Sequence, residues 1–139
     1  MESDAPVMDR LVREFIVGAP LGKLLGMTVE ALEPGKTTVR LSYRPEITTY
    51  GDVIHGGTIA SLIDIAATAA VWHGSDPEKV RRGTTVGFTV NYLSAARGQD
   101  LLAEARVLQR GKSLCVCRVD VSGVDGTAVA CGQLTYKIN

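Results

Sequence analysis

The strongest constraint on the fold is an apolar segment, VIHGGTIASLIDIAATAAVW, which runs from Val53 to Trp72 and contains a single carboxylate, Asp64. From Gly57 to about Gly74, apolar side chains point in nearly every direction around a helix, and a helix that is apolar on all sides is buried. At 1.5 Å per residue this helix is about 27 Å long. A buried carboxylate is costly unless it is paired or used for chemistry. The sequence must therefore provide Asp64 with a partner or a function.

Polar residues occupy one narrow line along this predicted helix. Gly57, Ser61, Asp64 and Thr68 follow one another at steps of four, three and four residues, which places them on one face. We call this face the polar stripe. On a buried helix it can face a polar surface, a subunit interface or a ligand channel. Two interpretations remain open, because Asp64 is either a functional group or a structural carboxylate at a dimer contact. Ser61 and Thr68 are equally explained as hydroxyls that pack helices together.

The helix begins with His55-Gly56-Gly57, where no side chain shields the first amides. The first N–H groups of a helix have no partner within it and carry the positive end of its dipole. They can hold an oxyanion about two helical turns away from the carboxylate of Asp64. The alternative is that the two glycines only provide the backbone freedom needed where a loop enters a helix.

The rest of the chain predicts an α+β domain over residues 1–139, with a helical extension at 1–24. Helical spacing of apolar residues covers Val7 to Val17, and Pro20 with Gly22 then indicates a short connection. Alternating apolar and polar residues predict strands around 27–31, 37–43, 85–92, 101–107, 115–121 and 128–138. In the segment 85–92, Val86, Phe88, Val90 and Tyr92 alternate with Thr85. Because no helix separates the last strands, one antiparallel sheet of about five or six strands is expected, curled around the long helix.

Charge and cysteine content exclude several classes of protein. Lys plus Arg and Asp plus Glu number 15 each, so there is no basic field for nucleic acid. The longest apolar segment contains Asp64 and follows two glycines, which argues against a membrane span, and the acidic N-terminus lacks the apolar core of a signal peptide. Three cysteines, an odd number, favour reduced core thiols in a cytoplasmic protein. With only two histidines and no Cys-x-x-Cys, no metal site is expected.

His55-Gly56-Gly57 followed by Leu62-Ile63-Asp64 resembles the signature of hotdog-fold acyl-CoA thioesterases of the phenylacetate-degradation (PaaI-like) type. The resemblance extends from about Leu24 to Tyr136. It includes the Arg110-Gly111-Lys112 turn and the closing segment ACGQLTY. It implies a hotdog homodimer, usually paired further into a homotetramer, with active sites at the dimer interface. It also implies an acyl-CoA substrate and no separate cofactor, since coenzyme A is part of the substrate.

The resemblance assigns roles to individual residues. The catalytic carboxylate, base or nucleophile, falls on Asp64, the oxyanion amide on Gly56, and a supporting hydroxyl on Thr85. His55 is expected to orient the helix entry. Thr49 stands where the family commonly has Asn or Gln, and its hydroxyl is shorter and offers no amide pair, so lower activity or a different pocket is expected. The candidate substrate-binding residues are Gly57, Ser61, Thr68, Arg110 and Lys112.

Three functions are weighed on this basis. The leading hypothesis is hydrolysis of an aryl- or acyl-CoA thioester. The second is an acyl-CoA binding or sensing protein of the same fold without turnover, which Thr49 in place of an amide favours. The third is a dehydratase or hydratase. Such enzymes need a His–carboxylate acid/base pair that is placed differently, and the residues around His55 do not match their pattern. Cations at predicted turns, Arg110 and Lys112 among them, are either simply solvated or contact the phosphates of coenzyme A. His73 is expected to cap the helix or lie at the surface.

Overall fold

The computed structural model describes residues 5–139, and its secondary structure is the predicted mixture of helices and antiparallel strands. The helices are α1 (Ala5–Leu11), a π-helix (Val12–Val17), α2 (Pro20–Leu25), a 3₁₀ helix (Pro45–Ile47) and α3 (Gly56–His73). The strands are β1 (Met27–Glu33), β2 (Lys36–Leu41), β3 (Thr48–Tyr50), β4 (Val53–Ile54), β5 (Gly83–Tyr92), β6 (Leu101–Arg110), β7 (Leu114–Gly123) and β8 (Ala128–Ile138).

The six longer strands form one antiparallel sheet in the order β1-β2-β6-β7-β8-β5, with β1 and β5 at its edges. Helix α3 contacts all six of these strands. A flat sheet of six strands is about 24 Å wide, more than twice the diameter of a helix, so the sheet must curve around α3. β-Bulges in several strands, including β5 between Thr85 and Gly87, allow that curvature. The predicted α+β hotdog architecture is confirmed.

Small side chains let α3 approach the sheet closely. Ala66, Ala67, Ala69 and Ala70 are completely buried. The hydroxyl of buried Thr37 on β2 donates a hydrogen bond to the carbonyl oxygen of Ala66 at 2.9 Å. A larger residue at these positions would push the helix away from the sheet and displace the groups that it carries. The apolar character of α3 on nearly all sides is therefore explained by its central position.

The N-terminal helices differ in detail from the sequence-based expectation. The helix expected at Val7 to Val17 is an α-helix that continues as a π-helix, and α2 lies where a connection was expected. Pro20 occupies the first turn of α2, where its missing N–H costs nothing, and Gly26 ends that helix in the left-handed conformation at φ 82°. Residues 1–4 of the expected extension lie outside the described residues.

His73 connects α1 to the end of α3. Its imidazole is buried, and its Nε2 lies 2.5 Å from Oδ1 of Asp9. The expectation of a surface residue is therefore wrong, because α1 covers this end of the helix. Cys115 and Cys117 are buried free thiols, and burial raises the pKa of the Cys117 thiol to about 12. Among residues 5–139, no helix combines the length and the apolarity that a membrane crossing requires.

Candidate active site

Asp64 lies at a cavity of about 440 Å³ formed by α3, the start of β5, the end of β8 and the N-terminal helices. We call it the carboxylate cavity. The Asp64 side chain is half-buried, and its Oδ1 accepts a hydrogen bond from the hydroxyl of Thr85 at 2.7 Å. Two residues that the sequence nominated separately, 21 positions apart, are thus in direct contact. The second carboxylate oxygen makes no hydrogen bond within residues 5–139, which leaves it available to a water molecule or a substrate.

The bulge in β5 explains why Thr85 reaches Asp64. Simple alternation put Thr85 on the face opposite Phe88 and Tyr92. Because the register shifts between Thr85 and Gly87, Thr85 pairs with Tyr136, Phe88 with Leu134 and Tyr92 with Ala130. Directly opposed residues of an antiparallel pair share a face, and these partners on β8 are buried on the side of the helix. The expected alternation is therefore wrong at its first position, since one extra residue turns Thr85 inward.

A tyrosine and a tryptophan that the sequence did not nominate also line the carboxylate cavity. The indole N–H of Trp72 donates to the hydroxyl oxygen of Tyr136 at 2.8 Å. Gly83 makes room for this ring, since a Cβ there would lie 2.4 Å from the Tyr136 ring. Burial and the nearby charge of Asp64 raise the pKa of Tyr136, and the Trp72 hydrogen bond opposes them. The phenol therefore remains protonated well above neutral pH.

The remaining wall of the carboxylate cavity is mostly apolar. Leu11, Phe15 and Ile16 come from the N-terminal helices, and Ile65 and Thr68 come from α3 beside Asp64. The apolar spacing of the first helix was visible in the sequence, but nothing in that spacing indicated that its side chains would reach the site. Thr68, nominated as a substrate contact, does line this cavity.

The start of α3 borders a different cavity, of about 380 Å³, which we call the amide cavity. Gly56, Thr49 and Tyr92 all line it. No hydrogen bond found among residues 5–139 uses the N–H of Gly56. The N–H of Gly57, in contrast, donates to Nδ1 of His55 at 2.8 Å, so His55 caps the helix and occupies that amide. Of the two nominated glycines, only Gly56 keeps an available N–H.

The two cavities are separate within this chain. Gly56 and Asp64 are eight residues apart on α3, which corresponds to about 12 Å along the helix axis. An oxyanion donor and a base or nucleophile that act on one carbonyl must each lie about 3 Å from the reacting group. The amide of Gly56 and the carboxylate of Asp64 of one chain are therefore too far apart to act on one carbonyl carbon.

Ser61 lies on the polar stripe between Gly57, at the start of α3, and Asp64, at the carboxylate cavity. Its hydroxyl donates to the carbonyl oxygen of Gly57 at 2.9 Å, a bond within the helix that fits the packing interpretation. The stripe is nevertheless the more exposed side of α3, because Gly57 is exposed and Ser61, Asp64 and Thr68 are half-buried. That exposure agrees with the expectation that the stripe faces a partner or a ligand.

The two nominated cations lie near the other end of α3. The guanidinium of Arg110 donates to the carbonyl oxygen of Val71 at 3.1 Å and to the hydroxyl of Ser75 at 3.2 Å, so it caps the C-terminus of the helix. Lys112 is exposed and borders the same groove as Arg110. Within the described residues, no group of three or more His, Cys, Asp or Glu side chains could hold a metal ion.

Comparison with known proteins gives a family model described as the Thioesterase superfamily, which matches residues 51–130. The chain is 32% identical over 120 residues to acyl-coenzyme A thioesterase 13 of Homo sapiens, covering 85% of this chain and 81% of that protein. It is 30% identical over 122 residues to a putative esterase of Saccharolobus solfataricus, covering 88% and 78%. It is 28% identical over 145 residues to the medium/long-chain acyl-CoA thioesterase YigI of Escherichia coli, covering 93% and 92%.

Solved structures share the whole fold. A thioesterase family protein from Silicibacter pomeroyi superposes with a TM-score of 0.86 at 25% identity, over 94% of this chain and 97% of that one. The E. coli PaaI protein of the phenylacetic acid degradation operon superposes with a TM-score of 0.85 at 19% identity, over 97% and 95%. The second likeness extends to the fold alone. Both span the N-terminal helices as well as the sheet.

Proposed function

The chain belongs to the thioesterase superfamily, and from that premise we propose that it hydrolyses the thioester bond of an aryl- or acyl-CoA to a free carboxylic acid and coenzyme A. The observation that carries the proposal is Asp64, a carboxylate held by a hydroxyl inside a mostly apolar cavity. The names of the relatives support the reaction. The roles proposed for Asp64 and Gly56 follow the resemblance of their motif to that of the PaaI-like thioesterases.

In the proposed reaction, Asp64 acts on the thioester carbonyl carbon either directly or through a water molecule from which it takes a proton. The carbonyl oxygen becomes negatively charged, and the N–H of Gly56 donates to it. The carbon–sulfur bond then breaks, and the thiolate of coenzyme A leaves and takes a proton, from Asp64 on the water route and from solvent on the direct route. Direct attack forms an anhydride with Asp64 that water hydrolyses. In a single turnover in ¹⁸O-labelled water, label in the Asp64 carboxylate demonstrates direct attack, because it arises only when water opens the anhydride at its aspartyl carbonyl, whereas the water route places label only in the released acid.

We propose that each active site combines Asp64 of one protomer with Gly56 of the partner subunit. Among the described residues, β5 pairs on one side only, with β8, and its Val86, Phe88 and Tyr92 are 60%, 38% and 53% exposed. An unpaired, apolar edge strand favours pairing with another chain. Thr85 beside one cavity and Tyr92 beside the other are about 23 Å apart along β5. Antiparallel pairing of two β5 strands about a two-fold axis brings the carboxylate cavity of one protomer to the amide cavity of the other.

The acyl group is proposed to occupy the carboxylate cavity. Its walls combine aliphatic side chains with the aromatic rings of Phe15 and Trp72, which suits either an alkyl chain or an aryl group.

Cations beyond this cavity are proposed to receive the phosphates of coenzyme A. The carboxylate cavity shares Gly83 and Thr84 with a neighbouring groove that Arg82 and Lys137 border, and Asn139 links that groove to the one at Lys112. Within residues 5–139, none of these three cations forms a salt bridge, and the chain as a whole carries no net charge. Replacement of Lys112 or Arg82 by alanine should raise the KM for acyl-CoA and weaken its dependence on salt. An unchanged KM in both variants would show that the groove does not bind coenzyme A.

The pairing of two dimers into a homotetramer, which the resemblance implies, remains a prediction.

A mixing experiment tests the shared site. Asp64→Asn disables the carboxylate, and Gly56→Val places a branched side chain against the ring of Tyr92 and disturbs the amide. Each variant alone should release almost no thiol from a panel of acyl-CoAs. After subunit exchange, half of the dimers should be mixed, and one of their two sites is intact, so roughly a quarter of the wild-type activity should return.

The controls separate the possible outcomes. Differently tagged copies report exchange by native mass spectrometry, and mixing two samples of Asp64→Asn should restore nothing. If exchange is complete and the mixture of different variants stays inactive, the shared site is wrong. If the wild-type protein binds acyl-CoAs but releases no thiol from any of them, the alternative of a binding or sensing protein is correct.

A further inference from the structure

Tyr92, at the end of β5, contacts the residue to which the oxyanion role is assigned. Its hydroxyl donates a hydrogen bond to the carbonyl oxygen of Gly56 at 2.7 Å. Its ring packs over the same glycine, since a Cβ on Gly56 would lie 3.3 Å from Cζ of Tyr92. Gly56 does not have a positive φ, so its lack of a side chain is explained by the ring and not by an unusual backbone conformation.

Hydrogen bonds fix both peptide groups that flank Gly56. In the peptide between Gly56 and Gly57, Tyr92 binds the carbonyl oxygen and His55 accepts from the N–H at 2.8 Å. In the preceding peptide, the carbonyl oxygen of His55 accepts from the N–H groups of Thr58 at 3.0 Å and Ile59 at 3.2 Å. The N–H of Gly56 is the one group of these two peptides without a bond inside the described residues. It therefore has a defined direction and remains available to a ligand.

Such fixation matters because two consecutive glycines have little conformational restraint of their own. An oxyanion donor contributes to rate in so far as its direction is set before the charge develops. The helix holds these peptides through its own backbone bonds, including those of Thr58 and Ile59 to the carbonyl oxygen of His55, and a side chain outside the helix can further restrain the carbonyl oxygen of Gly56 from the cavity side. Tyr92 does so, and it lines the amide cavity together with Gly56 and Thr49.

We propose that Tyr92 is a positioning residue for the reaction: it holds the Gly56–Gly57 peptide so that the N–H of Gly56 points at the developing oxyanion. The inference rests on the proposed function and goes beyond it by assigning the end of β5 a part in the chemistry. The same strand then orients one half of each of the two shared sites, because Thr85 near its start binds Asp64 and Tyr92 at its end binds Gly56.

The test compares Tyr92→Phe, which keeps the ring and removes the hydroxyl, with the wild-type protein and with Tyr50→Phe. Tyr50 is a matched control, because it is 67% exposed and its hydroxyl makes no hydrogen bond among residues 5–139. In Tyr92→Phe, kcat for acyl-CoA hydrolysis should fall about three- to tenfold while KM stays within about twofold, since the lost hydrogen bond acts on the transition state. Tyr50→Phe should change neither constant.

A spectroscopic measurement separates positioning from a general structural effect. The probe is an acyl-CoA analogue in which a methylene replaces the thioester sulfur, with ¹³C at the carbonyl carbon. Bound to the wild-type protein, its infrared carbonyl stretch should lie below the value in water, and in Tyr92→Phe it should return toward the higher frequency. An unchanged kcat, or a lower kcat with an unmoved carbonyl stretch, would refute the positioning role.

The proposed function can fail independently of this inference. If the wild-type protein releases no thiol from any acyl-CoA, hydrolysis is wrong, but the carbonyl stretch of the bound analogue still reports whether Tyr92 directs the Gly56 amide. If Asp64→Asn abolishes activity while Tyr92→Phe leaves both kcat and the carbonyl stretch unchanged, hydrolysis stands and the role of Tyr92 is refuted. Melting temperatures of all variants exclude unfolding as the cause of a lower rate.

Discussion

The two cavities beside α3 are built in different ways. At the carboxylate cavity, the chemistry lies in side chains: Asp64 accepts from Thr85, and Trp72 donates to Tyr136. These groups come from long, regular elements and are buried or half-buried. At the amide cavity, the chemistry lies in the backbone N–H of Gly56, and the surrounding residues belong to the short strands β3 and β4, to the first turn of α3, to the end of β5 and to the loop 93–96 that follows it.

The difference shows what determines the position and direction of each kind of group. A side-chain carboxylate is positioned by its own rotamer and one hydrogen bond, and the residue type alone shows that it is present. A backbone amide has no residue type, and only the groups that fix the adjoining peptides determine its direction. Exposed residues, such as Thr49 and Tyr92, therefore contribute more at the amide cavity than their surface positions suggest.

The largest expected effect is at the carboxylate cavity. Asp64→Asn preserves size but removes the ability to accept a proton or to attack a carbonyl, so turnover should fall by about 10²- to 10⁴-fold. The control is Asp120→Asn, which changes an aspartate paired with Arg118 on β7 and should leave kcat within twofold. Turnover of Asp64→Asn close to that of the wild-type protein, in a thiol-release assay, would mean that the carboxylate is structural.

The second effect concerns the hydroxyl that binds this carboxylate. Thr85→Val keeps the β-branched shape and removes the donor to Asp64, so kcat should decrease about tenfold, because a hydrogen bond to a charged group is stronger than one between neutral groups. Thr85→Ser keeps the hydroxyl and should retain most of the activity. Equal kcat values for the valine and serine variants would show that the 2.7 Å contact has no part in the reaction.

The fold was largely predictable from the sequence, because periodicity reports which faces are buried. The alternation of Val39 and Leu41 and the apolar continuity of α3 correspond directly to complete burial. The helix at Pro20 was not predictable in this way, since proline is equally compatible with a break and with a first helical turn. The bulge at Thr85 was also hidden, because an extra residue in a strand leaves no mark on residue type.

The candidate site was predictable where a motif carries it and not where distant elements meet. His55, Gly56 and Asp64 lie close together in the sequence and on one helix, so a local pattern can specify them. Tyr136 and Trp72 are 64 residues apart, and their hydrogen bond depends on how β8 passes α3. Tyr92 was visible only as an aromatic residue at the end of a strand, with no indication that its hydroxyl would reach Gly56.

A smaller effect is expected at the amide cavity from Thr49. This side chain is exposed and lines the amide cavity, where its hydroxyl can bind the substrate or a water molecule. Thr49→Ala should therefore lower kcat about threefold, as expected for the loss of one neutral hydrogen bond. Thr49→Asn introduces the amide that the resemblance leads one to expect and should maintain or raise kcat. If both substitutions leave the rate of thiol release unchanged, Thr49 has only a structural role, and the amide cavity depends on Gly56 and Tyr92.

The smallest expected effect is on stability at alkaline pH and concerns the carboxylate cavity. Burial raises the pKa of Tyr136 above its ordinary value of 10.0, so the unfolded chain loses this proton at a lower pH than the folded protein. Its contribution to the free energy of unfolding is complete below pH 10 and declines as pH rises through the folded pKa, at a rate of at most about 1.4 kcal/mol per pH unit.

Cys117 acts in the same direction between pH 9.0 and about 12, so urea unfolding is best compared in a Cys117→Ala background. There, Tyr136→Phe should flatten the decline above pH 10. A decline of equal slope with and without Tyr136 would mean that its phenol ionises as freely in the folded protein as in the unfolded chain, and that the carboxylate cavity is open to water.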